Sequence, residues 1–189
     1  MIVKKTRQLG NFKRGINLYI PKRGTSIAIA TYANGLYGKR YFSYFDDDVN
    51  WFNTAILHGD INQLTQIEYF TSDDDYYSWQ WLGYFKASST ENYTFYTTSD
   101  DASYVWIGAN ALAGFTINNA NVNNGEEHGE QEVASSPISL TAGVYYPIRI
   151  QFGEAEGGDI MSLSFSTPTI TKTSQGLGYY YYNSATNGF

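Results

Sequence analysis

The chain has 189 residues, a length that suits one domain with short extensions and leaves little room for two full domains. It contains no cysteine, which excludes disulfide bonds and thiolate metal sites, and it has no apolar run long enough to cross a membrane. The formal net charge of −6 is unevenly distributed: residues 1–40 hold nine of the twelve basic residues and no acid, so the remainder carries 3 − 18 = −15.

The first 24 residues are predicted to form an extended basic arm, because their charged and apolar residues follow neither a strand nor a helix period. Nucleic acid is one partner that a basic arm suits. The apolar residues between the charges favour docking on an acidic protein surface instead, so we expect other proteins of an assembly, no nucleic acid and a multimeric state. The beginning of the chain also lacks the continuous apolar stretch of a secretory signal peptide.

The composition predicts an all-β fold for a compact domain over residues 25–167. Eighteen Tyr, eleven Phe and four Trp favour strands, and eighteen Gly favour the turns between them. The candidate strands are residues 25–32, 41–45, 67–70, 79–86, 92–98, 104–108, 144–152 and 161–166. Residues 49–64 are predicted to be a short helix or an irregular crossing, since Trp51, Phe52, Ile56 and Leu57 would form one apolar face.

Two adjacent carboxylates, Asp100 and Asp101, interrupt an otherwise strand-forming run and are predicted to lie in the turn between two strands. Two hard oxygen donors at one turn suit calcium. A solvated turn explains the same letters equally well, because Asp bonds its own backbone in turns. The acidic triplets at residues 46–48 and 73–75 are interpreted as solvated turns, and Trp106, flanked by Val105 and Ile107, is predicted to lie in the core.

A long polar insertion spans residues 118–136 and is expected to be functional or mobile. His128 lies there among four glutamates. It could be a transition-metal ligand, but a flexible acidic surface loop is the simpler interpretation. Residues 168–189 are predicted to form an aromatic C-terminal tail, because four adjacent tyrosines at residues 179–182 cannot all face one core if extended. Some of them should therefore meet water or another chain.

Several segments together resemble the PA14 family and its GLEYA and flocculin-type lectin relatives. The pattern Thr-Ser-Asp-Asp-Ala-Ser-Tyr-Val-Trp-Ile-Gly is close to the family's Ser-Asp-Asp-Gly-x-x-Leu-Trp-Ile, and Ala-Gly-Val-Tyr-Tyr-Pro-Ile-Arg-Ile resembles its Gly-x-Tyr-Tyr-Pro-x-Arg-Ile strand. The resembling segments, which follow the family order between residues 35 and 167, are residues 35–42, 76–85, 98–108, 142–150 and 161–165. The resemblance implies a β-sandwich with jelly-roll character.

The resemblance also implies a candidate site. In the lectins of the family, two consecutive Asp residues bind calcium, and the calcium binds vicinal hydroxyls of a sugar; Asp100 and Asp101 match this motif. A second loop of those lectins supplies an Asn, and Glu154 stands about where that Asn would be. We therefore expect Asp100, Asp101 and Glu154 to bind calcium. The expected ligand-binding residues are these three with Glu156 and Asp159 of the same acidic loop.

The sequence offers little for catalysis. It has no Cys, only two His, no phosphate-cradling Gly loop and no two-His zinc motif, so we expect the chain not to be an enzyme. The interpretation favoured is a PA14-like surface module of a phage or virus particle, assembled in the host cytoplasm and binding a host-surface glycan through calcium. Two alternatives stay open: a purely structural decoration or cement protein, and a free carbohydrate-binding adhesin module.

Overall fold

The structure is a computed structural model that describes residues 31–68 and 74–189. In these ranges the chain forms twelve strands, one short α-helix and two 3-10 helices, which confirms the predicted all-β fold. The strands are β1 Tyr32–Asn34, β2 Leu36–Phe42, β3 Leu57–Leu64, β4 Tyr77–Lys86, β5 Glu91–Asp100, β6 Ser103–Ile107, β7 Val122–Asn124, β8 Gln131–Ala134, β9 Ile138–Leu140, β10 Tyr145–Glu154, β11 Ile160–Ser166 and β12 Tyr180–Asn183. The helix α1 is Ala109–Leu112, and the 3-10 helices are Trp51–Asn53 and Ile117–Asn119.

The described strands pack as a sandwich of two antiparallel sheets. The larger sheet has the order β1-β12-β4-β10-β6-β7, and β2 pairs with β3 and with β4. The smaller sheet has the order β11-β5-β8, with β9 also paired to β5. Successive side chains of a strand point to opposite faces, so every second residue of β4, β5, β10 and β11 enters the space between the sheets. The predicted β-sandwich is confirmed.

Aromatic side chains fill the space between the two sheets. Phe85 of β4, Phe95 of β5 and Phe165 of β11 are buried, and their ring centroids lie 4.9–6.1 Å apart. Such pairs add to the stability that burial of their area provides. A second buried cluster includes Tyr104 and Trp106, which alternate along β6 with residues of the main core. Trp106 is fully buried and donates from Nε1 to a backbone carbonyl, which confirms that it is a core residue.

The predictions for three internal segments are corrected by the structure. Of the predicted crossing at 49–64, Trp51–Asn53 does form a short 3-10 helix with Phe52 buried, whereas residues 57–64 form strand β3 on the free side of β2 and Ile56 and Leu57 are exposed. The strand predicted at 41–45 is β2 and ends at Phe42, because Ser43 has a φ of 74°, which a strand does not accommodate. The polar insertion 118–136 contains β7 and β8, both paired into the sandwich.

The C-terminal residues also differ from the prediction of an interface tail. Tyr180–Asn183 forms β12, which lies between β1 and β4. The side chains of Tyr180 and Tyr182 are buried, and the ring of Tyr180 packs against Phe85. Tyr181 points to the other face, as strand alternation requires. Without β12, the end of β4 that pairs with it would have backbone groups without hydrogen-bond partners. Strand β12 is therefore an integral part of the sheet.

Some predictions concern residues outside the described ranges. They are the arm at residues 1–24, the strand candidate 25–32 up to residue 30, residues 69 and 70 of the candidate 67–70, and Asp73. Within the described ranges, no helix has the length and apolar character needed to span a membrane.

Candidate functional site

Asp100 and Asp101 lie where β5 ends and β6 begins, as the sequence predicts. The peptide bond between them is cis. Beneath them, the buried hydroxyls of Thr97, Ser99 and Ser103 form a hydrogen-bonded chain that ties the two strands together, with Oγ···Oγ1 and Oγ···Oγ distances of 2.9 and 2.8 Å. A side-chain network with satisfied partners fixes the geometry of the segment above it.

Asp101 connects the turn to two other loops. Its Oδ1 accepts a hydrogen bond from the backbone N–H of His128, and its Oδ2 accepts one from the N–H of Ala155, each at 2.9 Å. The carboxylate is almost fully buried. Hydrogen bonds to a charged group are among the stronger ones, so Asp101 holds together the β5–β6 turn, the loop before β8 and the loop after β10.

Glu154 is the last residue of β10 and stands beside the Asp pair. Its side chain is 0% exposed, and neither carboxylate oxygen has a hydrogen-bond partner among the described residues. One oxygen of Glu154, one of Asp100 and one of Asp101 lie within 4.8 Å of one another. Buried polar groups are normally paired, so an unpaired carboxylate next to two others is an arrangement that fits a bound cation.

The electrostatics of this carboxylate cluster agree with the geometry. Burial, together with repulsion from Asp101, Asp100 and Asp159, raises the pKa of Glu154 to about 8, and the weak interaction with the backbone N–H of Asp101 opposes only part of this shift. Burial and the charge of Asp101 also raise the pKa of Asp100. Both shifts mean that the protein alone does not stabilise the fully charged cluster. A divalent cation would reverse this, because it attracts each carboxylate in its charged form.

The loop after β10 carries the other two predicted ligand-binding residues. Asp159 is buried, accepts a hydrogen bond from the hydroxyl of Tyr77, and repels Glu154 electrostatically. Glu156 is exposed and accepts a hydrogen bond from the hydroxyl of Tyr76. The structure therefore brings Asp159 close to the carboxylate cluster, whereas Glu156 lies on the surface beside the segment before β4.

The residues present fit calcium better than a transition metal. Calcium takes six to eight oxygen ligands in flexible geometry, and three carboxylates supply hard oxygen donors and enough charge. The ring of His128 does not join them: its Nδ1 lies 2.9 Å from the carbonyl of Gly129, and its Nε2 lies 3.4 Å from that of Asn124. His128 contributes its backbone N–H to Asp101, and the positive charge of its ring, when protonated, opposes part of the rise in the pKa of Asp100.

Two features of the site were missed by the sequence analysis. The loop before β8 is attached to the site by the backbone of His128, and nothing in its letters marks that contact. Asp47, from a triplet interpreted as a solvated turn, accepts hydrogen bonds from the hydroxyl of Tyr104 at 2.8 Å and from the N–H of Glu126 at 2.9 Å. It therefore anchors the same loop. The φ of 56° at Asp47 shows a constrained turn, which Asp tolerates better than most residues.

Comparison with known proteins gives the chain a family context. The GLEYA domain family matches residues 77–167, just under half of the chain, and this range includes Asp100, Asp101 and Glu154. No curated protein sequence matches the chain.

The fold recurs in solved structures. The Epithelial Adhesin 6 A domain from Candida glabrata, in complex with Galβ1-3GlcNAc, has a TM-score of 0.64 and 20% identity, covering 82% of this chain and 89% of that domain. The PA14 sugar-binding domain from an RTX adhesin has a TM-score of 0.62 and 11% identity, covering 79% of this chain and 98% of that domain.

A third structure is that of an anti-sigma factor domain-containing protein from Clostridium clariflavum. Its TM-score is 0.62 with 19% identity, covering 78% of this chain and 46% of that protein. This chain thus spans about half the length of the anti-sigma factor domain-containing proteins that it matches.

The family match and the shared sandwich agree with each other. The two sheets and the matched segment place the Asp pair in the β5–β6 turn of a PA14-like fold. The match to the GLEYA family and the likeness to sugar-binding domains agree with the expectation that the chain is a non-catalytic module. Residues 77–167 thus resemble a GLEYA domain in sequence, and the fold around them is the sandwich of PA14-type lectin-like domains.

Proposed function

We propose that the domain binds glycans through a calcium ion held by Asp100, Asp101 and Glu154. The observation that carries the proposal is the buried carboxylate of Glu154, whose oxygens have no hydrogen-bond partner in the described structure and face two further carboxylates. Leaving such a group unpaired costs several kcal/mol, on the order of the effective desolvation penalty of one ion. A calcium ion offsets that cost by direct coordination.

The exposure of the three carboxylates indicates where a ligand would approach. Asp101 and Glu154 are buried, whereas Asp100 is reached by solvent. Three carboxylates do not fill the six to eight positions that calcium takes, so the positions on the side of Asp100 stay open to other oxygens. Vicinal hydroxyls of a sugar provide two such oxygens at a suitable spacing, and Asp159 and Glu156 lie along the loop beside them.

The relatives support a carbohydrate-binding adhesin module, which is one of the alternatives expected from the sequence. One of them carries a bound disaccharide, and another is described as a sugar-binding domain from an adhesin. The virion interpretation draws no support from these relatives. A place in a virus particle and docking of residues 1–24 on assembly proteins stay predictions.

The proposal is tested first by calcium titration. Asp100→Asn removes one charge from the cluster, and the side-chain amide that replaces the carboxylate keeps an oxygen that can accept the backbone hydrogen bond of Glu130. We expect calcium to bind wild type and to bind Asp100→Asn more than tenfold more weakly. Glu127→Gln is the control, because it removes one charge from an exposed position in the nearby loop. Equal calcium affinity of wild type and Asp100→Asn would contradict the assignment.

The second test is glycan binding on an array with calcium and with a chelator. We expect signal only with calcium, and none for Asp100→Asn. Signal that persists in chelator would mean that another surface recognises the sugar. Absence of both calcium and glycan binding would favour the structural alternative, in which Asp101 only ties loops together.

A further inference from the structure

A small pocket of about 150 Å³ lies beside the candidate calcium site, and it is called here the Phe42 pocket. Its walls come from β2, from β3 and from the segment that leads into β4. The lining residues are Arg40, Phe42, His58, Asp74, Asp75, Tyr76 and Tyr77. None of these lining residues belongs to the carboxylate cluster of Asp100, Asp101 and Glu154.

The pocket presents aromatic surface to solvent. The side chain of Phe42 is 50% exposed and that of Tyr76 is 54% exposed. Phe42 contacts the ring of His58, with centroids 4.5 Å apart. Exposed aromatic rings flanked by polar groups are typical of a binding surface rather than of a core. The apolar C–H face of a sugar ring packs on such rings, while its hydroxyls reach the polar groups around them.

The backbone of Tyr76 is held in a conformation that most side chains avoid. Its φ is 51°, in the left-handed region, which is uncommon for an aromatic residue. Three contacts with the loop after β10 hold it there: the N–H of Tyr76 donates to the carbonyl of Ala155 at 2.9 Å, its hydroxyl donates to Glu156, and the N–H of Gly157 donates to Asp75 at 3.2 Å. The Phe42 pocket and the candidate calcium site therefore share one loop.

The strand register gives the distance between the two sites. Phe42 of β2 pairs with Tyr77 of β4, and Tyr77 pairs in turn with Glu154 of β10. Neighbouring strands are about 4.8 Å apart, so Phe42 and Glu154 are separated by roughly 10 Å across the same end of the sheet. That backbone separation is about the length of a disaccharide.

The charges around the pocket favour neutral sugars over acidic ones. Arg40 is engaged by Asp74 at 2.8 Å and by Asp60 at 3.5 Å, and its guanidinium lies 4.3 Å from the ring centroid of Tyr77. Asp75 and Glu156 add two further negative charges to the rim. Because acids outnumber bases, a carboxylated or sulfated sugar would be repelled, whereas a neutral sugar can donate hydroxyl hydrogen bonds to the carboxylates.

We propose that the Phe42 pocket binds the second sugar of a neutral glycan whose first sugar contacts the calcium ion. This inference rests on the proposed function of the carboxylate cluster. In this role the pocket favours disaccharides over monosaccharides and neutral glycans over acidic ones.

The test uses an array of neutral and acidic mono-, di- and trisaccharides in calcium, with dissociation constants measured for the best neutral pair. We expect wild type to bind a neutral disaccharide about tenfold more tightly than its terminal monosaccharide, and to bind acidic glycans more weakly than neutral ones. In Phe42→Ala and Tyr76→Ala the advantage of the disaccharide should disappear, since truncation of an aromatic contact commonly costs about this factor.

Two controls separate recognition from stability. Tyr32→Ala truncates a half-exposed aromatic residue that stacks on Tyr145, and Tyr145 pairs with Lys86 at the opposite end of β4. It should bind all glycans as wild type does. Phe42→Tyr keeps the ring and should keep the disaccharide advantage. Equal affinity for mono- and disaccharide, or an advantage that survives in Phe42→Ala and Tyr76→Ala, would overturn this inference alone, whereas no calcium-dependent binding of any glycan would overturn the proposed function as well.

Discussion

Glu154 combines full burial with a carboxylate that has no hydrogen-bond partner in the described structure. The sequence could place this residue near the Asp pair only through its resemblance to a known lectin loop. Its burial could not be predicted, because Glu is rarely buried and the letters around it read as a surface loop. The position of Asp100 and Asp101 in a turn could be predicted, since two acids inside a strand-forming run indicate a turn. The hydrogen bonds that Asp101 accepts from the backbone N–H groups of His128 and Ala155 depend on loops far apart in sequence.

The raised pKa of Glu154 predicts how stability depends on pH in the absence of calcium. The folded protein holds a proton on Glu154 up to a pH of about 8, whereas the unfolded chain releases it near its ordinary value. The folded state therefore binds more protons in this window, and the free energy of unfolding should fall as the pH rises from about 4.5 to about 8, by at most about 1.4 kcal/mol per pH unit for one group. The raised pKa of Asp100 acts in the same direction.

Urea unfolding at several pH values in chelator checks this prediction. Glu154→Gln should be more stable than wild type at pH 8 in chelator and should show a smaller slope with pH. With calcium present the order should reverse, because the ion stabilises only the folded wild type by its binding free energy. A wild-type protein that becomes more stable between pH 5 and pH 8 in chelator would show that Glu154 is paired in solution.

At the scale of elements, β12 shows what local pattern cannot predict. Strand preference was visible in the run of tyrosines, but its partner was not: Tyr181 pairs with Tyr84, almost a hundred residues earlier in the chain. For strand β3 the pairing partner is the neighbouring β2, but the strand itself was not predicted from the sequence. Its letters show no clear alternation, and it is a strand because β2 offers a free edge to pair with.

Tyr180 provides the test of whether β12 belongs to the folded core. Its ring is buried against Phe85, and its hydroxyl has no hydrogen-bond partner among the described residues. Tyr180→Ala should therefore lower the free energy of unfolding by about 3–5 kcal/mol. Tyr180→Phe should cost nothing, because only an unsatisfied hydroxyl is lost. Tyr181→Ala, on the other face of the strand, should cost clearly less than Tyr180→Ala. Chemical denaturation of the three variants gives these values. If Tyr180→Ala were as stable as wild type, the prediction of an interface tail outside the core would stand.

At the scale of the whole molecule, the sandwich could be predicted because turn spacing, strand composition and the family resemblance agreed. The order of strands in each sheet could not, since pairings such as β4 with β10 join distant segments and depend on packing. The uneven charge is likewise a property of the whole chain. Residues 1–24 contain seven of the twelve basic residues and no acid, so their removal changes the net charge from −6 to −6 − 7 = −13.

Removal of residues 1–24 tests whether the basic segment is an arm. Among the residues that the structure describes, the two buried clusters of the sandwich are built from residues 36–180, and the carboxylates of the candidate calcium site belong to residues 100, 101 and 154. We therefore expect a protein of residues 25–189 to fold, to melt within a few degrees of the full chain at physiological salt, where added self-repulsion is partly screened, and to bind calcium with the same affinity. Circular dichroism melts and calorimetric calcium titrations of both proteins make the comparison. Loss of the cooperative transition would instead place part of residues 1–24 in the core, and loss of calcium affinity alone would place it against the carboxylate cluster.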